Sequence, residues 1–407
     1  MRYRYPWVLL FLAARGLRQY AFSTFAASLC IALAGGLFIS TWKIKEESKN
    51  AFARSSGGFD AVLGARGSKL QLVLNGLFHL EASPGNLTWE QYQSIKNNRA
   101  VKAAYPLAVG DNYMGYRLVG ALKEMFVEHE WRMGQKYEVK PGGRIFSEDA
   151  KEALVGEFVA RKLKLSIGDI FHPYHGLTFK EEARHQDRYV VVGILEATGT
   201  PSDKVIWIPL KGIQTMEGHD PKSANEVSTV LLKLKKGRAG LMLDMAYNKQ
   251  GKVATLAWPV AGILSSFFDR LVWFHRVLEI ISILVAFVSA FVILAILHNA
   301  MSERRRDFAI LRCLGASRLS VTCVVLAQSV LLTLFGILGS FLAYFCIGEI
   351  VSSLIREQTG VLLEPFSWST AFIFVPLFMI MIGLLSGLLP ALRAYRVEVS
   401  HNLSPRS

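Results

Sequence analysis

The chain has 407 residues, 52% of them hydrophobic and only 19% charged. Soluble domains carry nearer ~25% charged residues, so this composition excludes an ordinary soluble two-domain protein. The net charge is +14, but residues 46–275 hold 30 Lys/Arg against 25 Asp/Glu, and most of the remaining excess flanks the apolar ends of the chain. That pattern fits membrane orientation and attraction to anionic lipid, and excludes a nucleic-acid partner, which needs a basic face with interleaved aromatics.

Pro6 to Gln19 reads as an amphipathic helix on a membrane surface, with Trp7, Leu10, Phe11, Ala14 and Leu17 at helical spacing. Tyr20 to Trp42 then runs 23 residues without a charge. Ala32-Leu33-Ala34 resembles a cleavage site, but apolar sequence continues to Trp42, so a retained span is expected. Three more charge-free windows follow: Ile280–Ser302 (23 residues), Leu319–Gly348 (30) and Pro365–Leu392 (28). Each exceeds the roughly 20 residues a helix needs to cross the bilayer. An α-helix is the open-chain form that satisfies its own backbone in lipid.

Between the first and second spans the sequence reads as a mixed α+β domain. Strands are expected at Phe59–Gly64, Ala103–Val109, Tyr113–Ala121, Tyr189–Glu196, Val205–Pro209 and Val227–Leu234. Helices are expected from Leu87-Thr88-Trp89-Glu90 to Asn98, with Thr88 as cap, and over Ala150–Leu163 and Met242–Gln250. Leu70–Leu80 either covers a core or faces lipid. Ile263–Glu279 reads as one helix running into the second span, with an aromatic collar at Phe267, Phe268, Trp273 and Phe274. Paired with the helix leaving the first span, it would form a two-helix stalk.

Orientation follows from the short flanks. Arg2, Arg4, Arg15 and Arg18 precede the first span; Arg304, Arg305, Arg306, Arg312 and Arg318 lie between the second and third; Arg393, Arg396 and Arg406 follow the fourth. The loop between the third and fourth spans holds Arg356 against Glu349, Glu357 and Glu364. Both termini and the second connection are therefore expected in the cytoplasm, with the middle domain outside. Cys30, Cys313, Cys323 and Cys346 all lie in or beside spans, so the outer domain does without disulfides. Small residues four apart, Gly336/Ser340, Gly383/Gly387 and Gly36/Ser40, are candidates for close helix packing.

The most informative segment is Ser302–Arg318. Ser302 can cap a short helix, with Glu303 and Asp307 toward its positive end. Phe308, Leu311 and Leu314 form an apolar edge, and Gly315 can end the helix in the left-handed conformation. A compact helix held between two spans offers basic and apolar side chains to whatever lies beneath it. No Gly-x-x-x-x-Gly-Lys-Ser/Thr loop occurs: Gly251-Lys252 is followed by Val253. Neither His-Glu-x-x-His nor Gly-x-Ser-x-Gly is present. His172, His175 and His185 suggest a metal, but no nearby Cys or carboxylate completes a tetrahedral set, so no metal or other cofactor is expected.

The run Glu303 to Arg318 resembles the coupling-helix motif of FtsX-like, MacB-type ABC transporter permeases, the group that includes the lipoprotein-release subunits. Leu384-Leu385-Ser386-Gly387-Leu388-Leu389-Pro390 resembles that family's last span, while Val155-Gly156-Glu157 to Gly168-Asp169 and Val191 to Asp203 resemble its periplasmic core. The resemblance implies three parts: residues 1–45 (amphipathic helix and first span), 46–275 (MacB-like periplasmic core with stalk helices) and 276–407 (three spans with a coupling helix at 302–318). It implies that Glu303, Arg304, Arg305, Arg306, Phe308, Ile310, Leu311, Arg312, Leu314 and Gly315 meet a separate cytoplasmic ABC ATPase dimer, which binds the ATP. A second permease copy or paralogue, a periplasmic adaptor with an outer-membrane duct, and membrane lipid are the other implied partners. The implied role is to pass ATP-driven motion to a periplasmic domain that exports or extracts peptide, lipoprotein or lipid from the inner membrane's outer face. The alternative within the family is regulation of a cell-wall hydrolase or antimicrobial-peptide sensing.

Overall fold

In the computed structural model, which describes residues 6–219, 224–251, 253–303, 305–364 and 366–395, the windows Ile280–Ser302 and Leu319–Gly348 lie wholly within helices, the first window is helical from Ala21 and the last from Ala371. Arg2, Arg4, Arg304, Arg396 and Arg406, used above for orientation, lie outside the described residues. The helices are α1 (Pro6–Gln19), α2 (Ala21–Arg54), α3 (Lys69–Gly76), α4 (Trp89–Lys96), α5 (Lys123–Glu128), α6 (Glu157–Leu163) and α7 (Leu210–Gln214). They continue with α8 (Gly237–Asp244), α9 (Val260–Arg270), α10 (Val272–Glu303), α11 (Arg305–Cys313), α12 (Arg318–Thr359) and α13 (Ala371–Tyr395). Within α2, α10, α12 and α13, four stretches are long and apolar enough to cross a membrane: Ala21–Phe52, Arg276–Asn299, Arg318–Thr359 and Ala371–Arg393.

The chain divides into two compact units. The first holds residues 1–47, 272–351 and 364–407; the second holds 48–271 and also 352–363. That last segment corrects the sequence division, which gave everything after 275 to the membrane part. The tail of α12 packs with the outer domain, so α2 and α12 each carry residues of both units without a break.

The second unit is built on strands β1 (Ala61–Ala65), β2 (Leu87–Thr88), β3 (Val101–Tyr113), β4 (Tyr116–Ala121), β5 (Glu130–Arg132), β6 (Gln135–Lys136) and β7 (Glu152–Val155). The rest are β8 (Ile170–Phe171), β9 (Tyr174–His175), β10 (Tyr189–Ile194), β11 (Ile206–Pro209), β12 (Glu226–Val227), β13 (Thr229–Leu234) and β14 (Ala254–Ala257). The main sheet runs β14-β1-β13-β3-β4-β11-β7-β10-β8, with β9 on β3. It is mixed: β4 with β11 and β7 with β10 are parallel, and its other pairs are antiparallel. The long β3 pairs β13 through Val101–Leu107 and β4 through Ala108–Tyr113, with a bulge at Gly110. A bulge bends its strand and re-aims the side chains that follow.

Several expectations change. Ala150–Leu163 is a strand followed by a helix, because Ala153, Leu154 and Val155 are wholly buried between β10 and β11, and a continuous apolar run suits a central strand. Gly156 then passes so close to Asp203 that a Cβ would sit 2.3 Å from its carbonyl oxygen. Leu70–Leu80 covers core, since Leu72, Val73, Leu77 and Phe78 are all buried. The helix into the second span is interrupted at Leu271, between α9 and α10. Thr88 caps α4 in a capping box with Gln91. The stalk pairing has counterparts on both sides of the unit boundary: Lys49 with Asp269 at 2.9 Å and Phe52 against Phe268 in the second unit, Lys45 with Glu279 at 3.2 Å in the first.

His79 is buried edge-on against Trp207. Burial, with the charge of Arg117 adding, lowers its pKa from 6.5 to about 3. The unfolded chain therefore takes up this proton near 6.5 while the folded chain refuses it, so the contribution to stability is complete above 6.5 and declines as pH falls toward about 3. His79 has φ +54, which Asn tolerates. His79→Asn is expected to flatten the loss of thermal stability across that window by a few kcal/mol, read by melting the detergent-purified chain as a function of pH.

Candidate functional site

The turn between the second and third spans has a defined stop at its second end and a sided helix in its middle. Ser302 and Glu303 belong to the last turn of α10, and α11 begins at Arg305. At the other end Ala316 N–H donates to Leu311 O at 3.0 Å and Gly315 N–H to Arg312 O at 3.1 Å. With Gly315 at φ +95, this is a Schellman ending, a conformation that glycine adopts without a Cβ penalty. Ser317 then caps α12, its hydroxyl accepting from Ser320 N–H at 3.1 Å.

Phe308 is 1% exposed. It lies with Val321, Val324, Val325 and Ala391, and with Leu9, Leu12 and Leu311 at the margin. Three helices, α1, α12 and α13, thus grip one side of α11. Leu314, expected on the same edge, instead stands 76% exposed, with Ile310 one turn before it and Cys313 beside it also exposed. The apolar residues therefore split into an inward pair that fixes the helix and an outward pair left free. Arg305 and Arg306 lie in α11 and Arg312 in its last turn.

The small residues of the spans converge on α12. A Cβ on Gly336 would lie 2.3 Å from Ile31 Cγ2, one on Gly36 2.6 Å from Ala343 Cβ, one on Gly383 2.1 Å from Thr333 Oγ1 and one on Gly387 2.6 Å from Ser329 Cβ. Ser340 Oγ donates to Gly336 O at 2.9 Å and lies 3.3 Å from Ile31 O. His298, near the end of the second span, lies 2.8 Å from Arg393 Nη1.

A second feature was not legible as such. Thr198 to Asp203 forms a caged loop in which Asp203 accepts from the N–H groups of Thr198 and Gly199 and from the Thr198 hydroxyl, at 2.7–3.1 Å. Burial pushes the Asp203 carboxyl above its ordinary range against those bonds. The tail of α12 docks on this loop and on α6. Leu362 N–H donates to Gly199 O, Lys204 Nζ to Gln358 O at 2.5 Å, and Glu357 and Arg356 pair with Lys162 and Glu157 at 2.6 and 3.4 Å. The signal in the sequence was the Thr-Gly-Thr-Pro-Ser-Asp run; its partner Leu362, 163 residues after Gly199, gave none. His175 and His185 also meet, joined by Asp111 and His219 from elsewhere in the chain, while His172 lies outside the group. The ground for setting a metal aside, that no carboxylate stands near, does not hold.

Four membrane-length helices among the described residues, with a large mixed α/β domain between the first and second, define a membrane protein with one large domain outside its spans. The sequence matches the MacB-like periplasmic core domain over residues 8–240 and the FtsX-like permease C-terminal domain over residues 279–399, and the chain belongs to this family of ABC transporter permeases. An uncharacterized ABC transporter permease of Methanocaldococcus jannaschii is 22% identical over 290 residues, which are 68% of this chain and 66%, just under two thirds, of that relative. The periplasmic region of MacB from Actinobacillus actinomycetemcomitans aligns with a TM-score of 0.34 at 11% identity, covering 53% of this chain and 93% of that one. The extracellular domain of the noncanonic ABC-type transporter YknZ from Gram-positive bacteria aligns at 0.30 and 18%, covering 48% and 99%.

Two outcomes follow from this packing. Phe308→Ala is expected to cost about 3–5 kcal/mol, loosening α11 from α12, and to appear as faster proteolysis of the 303–318 turn in the otherwise folded chain. Gly336→Val is expected to lower the melting midpoint in detergent, whereas Gly315→Asn, at a position Asn tolerates, leaves it nearly unchanged.

Proposed function

We propose that this chain is the membrane subunit of an ABC transporter, driven by a separate cytoplasmic ATPase dimer that docks on α11. The observation that carries this reading is the sidedness of α11: Phe308 is locked inward while Ile310, Cys313 and Leu314 face outward. A positive-inside loop needs only charge; it does not need an apolar pair held out on a clamped helix. ATP would be bound and hydrolysed by the partner, since the sequence has no phosphate loop.

In this reading, closure of the ATPases displaces α11, and α12 carries the displacement. It starts three residues after Gly315 and continues for 42 residues, roughly 63 Å at 1.5 Å per residue. Its tail ends in the joint with the Thr198–Asp203 loop. The chain works as a dimer in the inner membrane, termini inside and core domain in the periplasm, and pushes or releases a peptide, lipoprotein or lipid already outside the bilayer. The described parts of the four spans are nearly free of ionisable groups in their interiors, which supports cargo handling outside the membrane over a polar path through it.

The test pairs the chain with a candidate ABC ATPase subunit from the same genome, reconstituted in lipid. Leu314→Asp is expected to abolish co-purification or reduce coupled ATP hydrolysis at least ~10-fold, because it places a charge in an apolar contact. An exposed change on the core domain, such as Met133→Asp, is expected to leave assembly intact. Wild-type assembly by Leu314→Asp together with Ile310→Asp would overturn the proposal, as would transporter-like ATP hydrolysis by the chain alone.

A further inference from the structure

Three histidines and one carboxylate gather in the core domain where neither the fold nor the coupling reading requires them. Asp111 follows directly on the bulge at Gly110 of β3 and faces His175 of β9 across the antiparallel ladder. Its neighbour Asn112, wholly buried, donates from Nδ2 to the carbonyls of Tyr174, Gly176 and Thr178 at 2.8–3.2 Å, which pins the loop carrying His175. His185 is brought in by its N–H on Pro173 O at 2.9 Å, and His219 comes from the turn after α7. Four segments of chain meet at one point.

We propose that Asp111, His175, His185 and His219 bind one divalent transition-metal ion of the zinc class. The distances fit. Zn–N and Zn–O bonds of about 2.0–2.1 Å place tetrahedral ligand atoms roughly 3.3 Å apart. Asp111 Oδ1 lies 3.5 Å from His175 Nδ1, 3.4 Å from His185 Nε2 and 3.2 Å from His219 Nε2. All four ligand atoms lie within 4.8 Å of one another.

The proton arrangement fits as well. His185 Nδ1 and His219 Nδ1 each lie 2.8 Å from a backbone carbonyl, those of Glu217 and Ile213. A carbonyl can only accept, so both Nδ1 atoms carry the hydrogen, and each Nε2 faces Asp111 Oδ1 as the ring atom left to meet a cation. Acceptors so arranged call for a cation between them, and a carbonyl behind each ring is the outer-shell support that metal-bound histidines use. Asp111 is 0% exposed, and its Oδ2 has no hydrogen-bond partner. A buried carboxylate without full partners is costly, and coordination relieves that cost.

Three imidazoles with one carboxylate suit Zn²⁺, Ni²⁺ or Cu²⁺ and not Mg²⁺ or Ca²⁺, which take oxygen ligands. His175 stands at the edge of two clefts of about 330 and 300 Å³, one bordered by His219 and Glu226, the other by His185 and Glu217. An ion can therefore reach the site from solution.

The full chain, purified in detergent and stripped with a chelator, is to be dialysed against Zn²⁺ and assayed by elemental analysis, with Co²⁺ absorption reporting coordination. Expected are one Zn²⁺ per chain, an intense tetrahedral Co²⁺ band, and a melting midpoint that rises with Zn²⁺. His175→Ala, at a side chain 59% exposed and so tolerant of truncation, and His219→Ala are expected to weaken binding beyond the ~10–100-fold that loss of an outer-shell partner costs. His172→Ala is expected to bind as wild type. Failure of the folded wild-type chain to take up Zn²⁺, Ni²⁺ or Cu²⁺ stoichiometrically would overturn the proposal. So would uptake by His175→Ala and His219→Ala equal to wild type. Neither result bears on whether an ATPase docks on α11.

Discussion

Close approach of backbones along α12 is the constraint on which the membrane unit depends. Lipid offers no hydrophobic reward for bringing two apolar helices together, so association rests on packing and interhelical hydrogen bonds. Here the packing is made by absent side chains. Gly336 admits Ile31, Gly383 admits Thr333, Gly387 admits Ser329, and Gly36 lies against Ala343. Ser329 Oγ also donates to Gly383 O across the contact with α13. Half of the span in α12 is buried, against 22% for the spans in α10 and α13. A helix held this way cannot move without its neighbours. The same helix begins where α11 ends and finishes among residues of the core domain.

The spans were legible because lipid imposes a simple rule, a run without charge, and each window holds most of one long helix. The outward reach of α12 was not, because Glu349, Arg356 and Glu357 ended the charge-free window and read as loop. Those residues are polar because they leave the bilayer, not because they leave the helix. The strand at Glu152–Val155 was lost for a related reason: three consecutive buried residues ahead of a helix give no periodicity of their own. The Gly315 stop was readable because a left-handed residue at a helix end has one good solution. The inward turn of Phe308 and the outward turn of Leu314 were not, since both sit on helical spacing and only the positions of α12 and α13 distinguish them.

The histidine cluster shows where sequence reading gives out. His175 and His185 lie ten apart and invite the thought of a metal. The carboxylate that joins them lies 74 residues before His185 and 108 before His219. It is aimed by a one-residue bulge in a strand that changes partners midway. No local pattern announces such a meeting, because what places Asp111 is the register of β3 against β9. Family membership, by contrast, was carried by contiguous motifs, which is why it was accessible from the residues alone.

Docking of an ATPase on α11 requires that this helix face the cytoplasm. Cys313 is exposed on α11 beside Leu314 and reports that directly. With Cys30, Cys323 and Cys346 replaced by alanine, a membrane-impermeant maleimide should leave Cys313 untouched in intact spheroplasts and label it in inverted vesicles, with added ATPase subunit protecting it. Labelling of Cys313 in intact spheroplasts would put α11 on the wrong face and contradict the account.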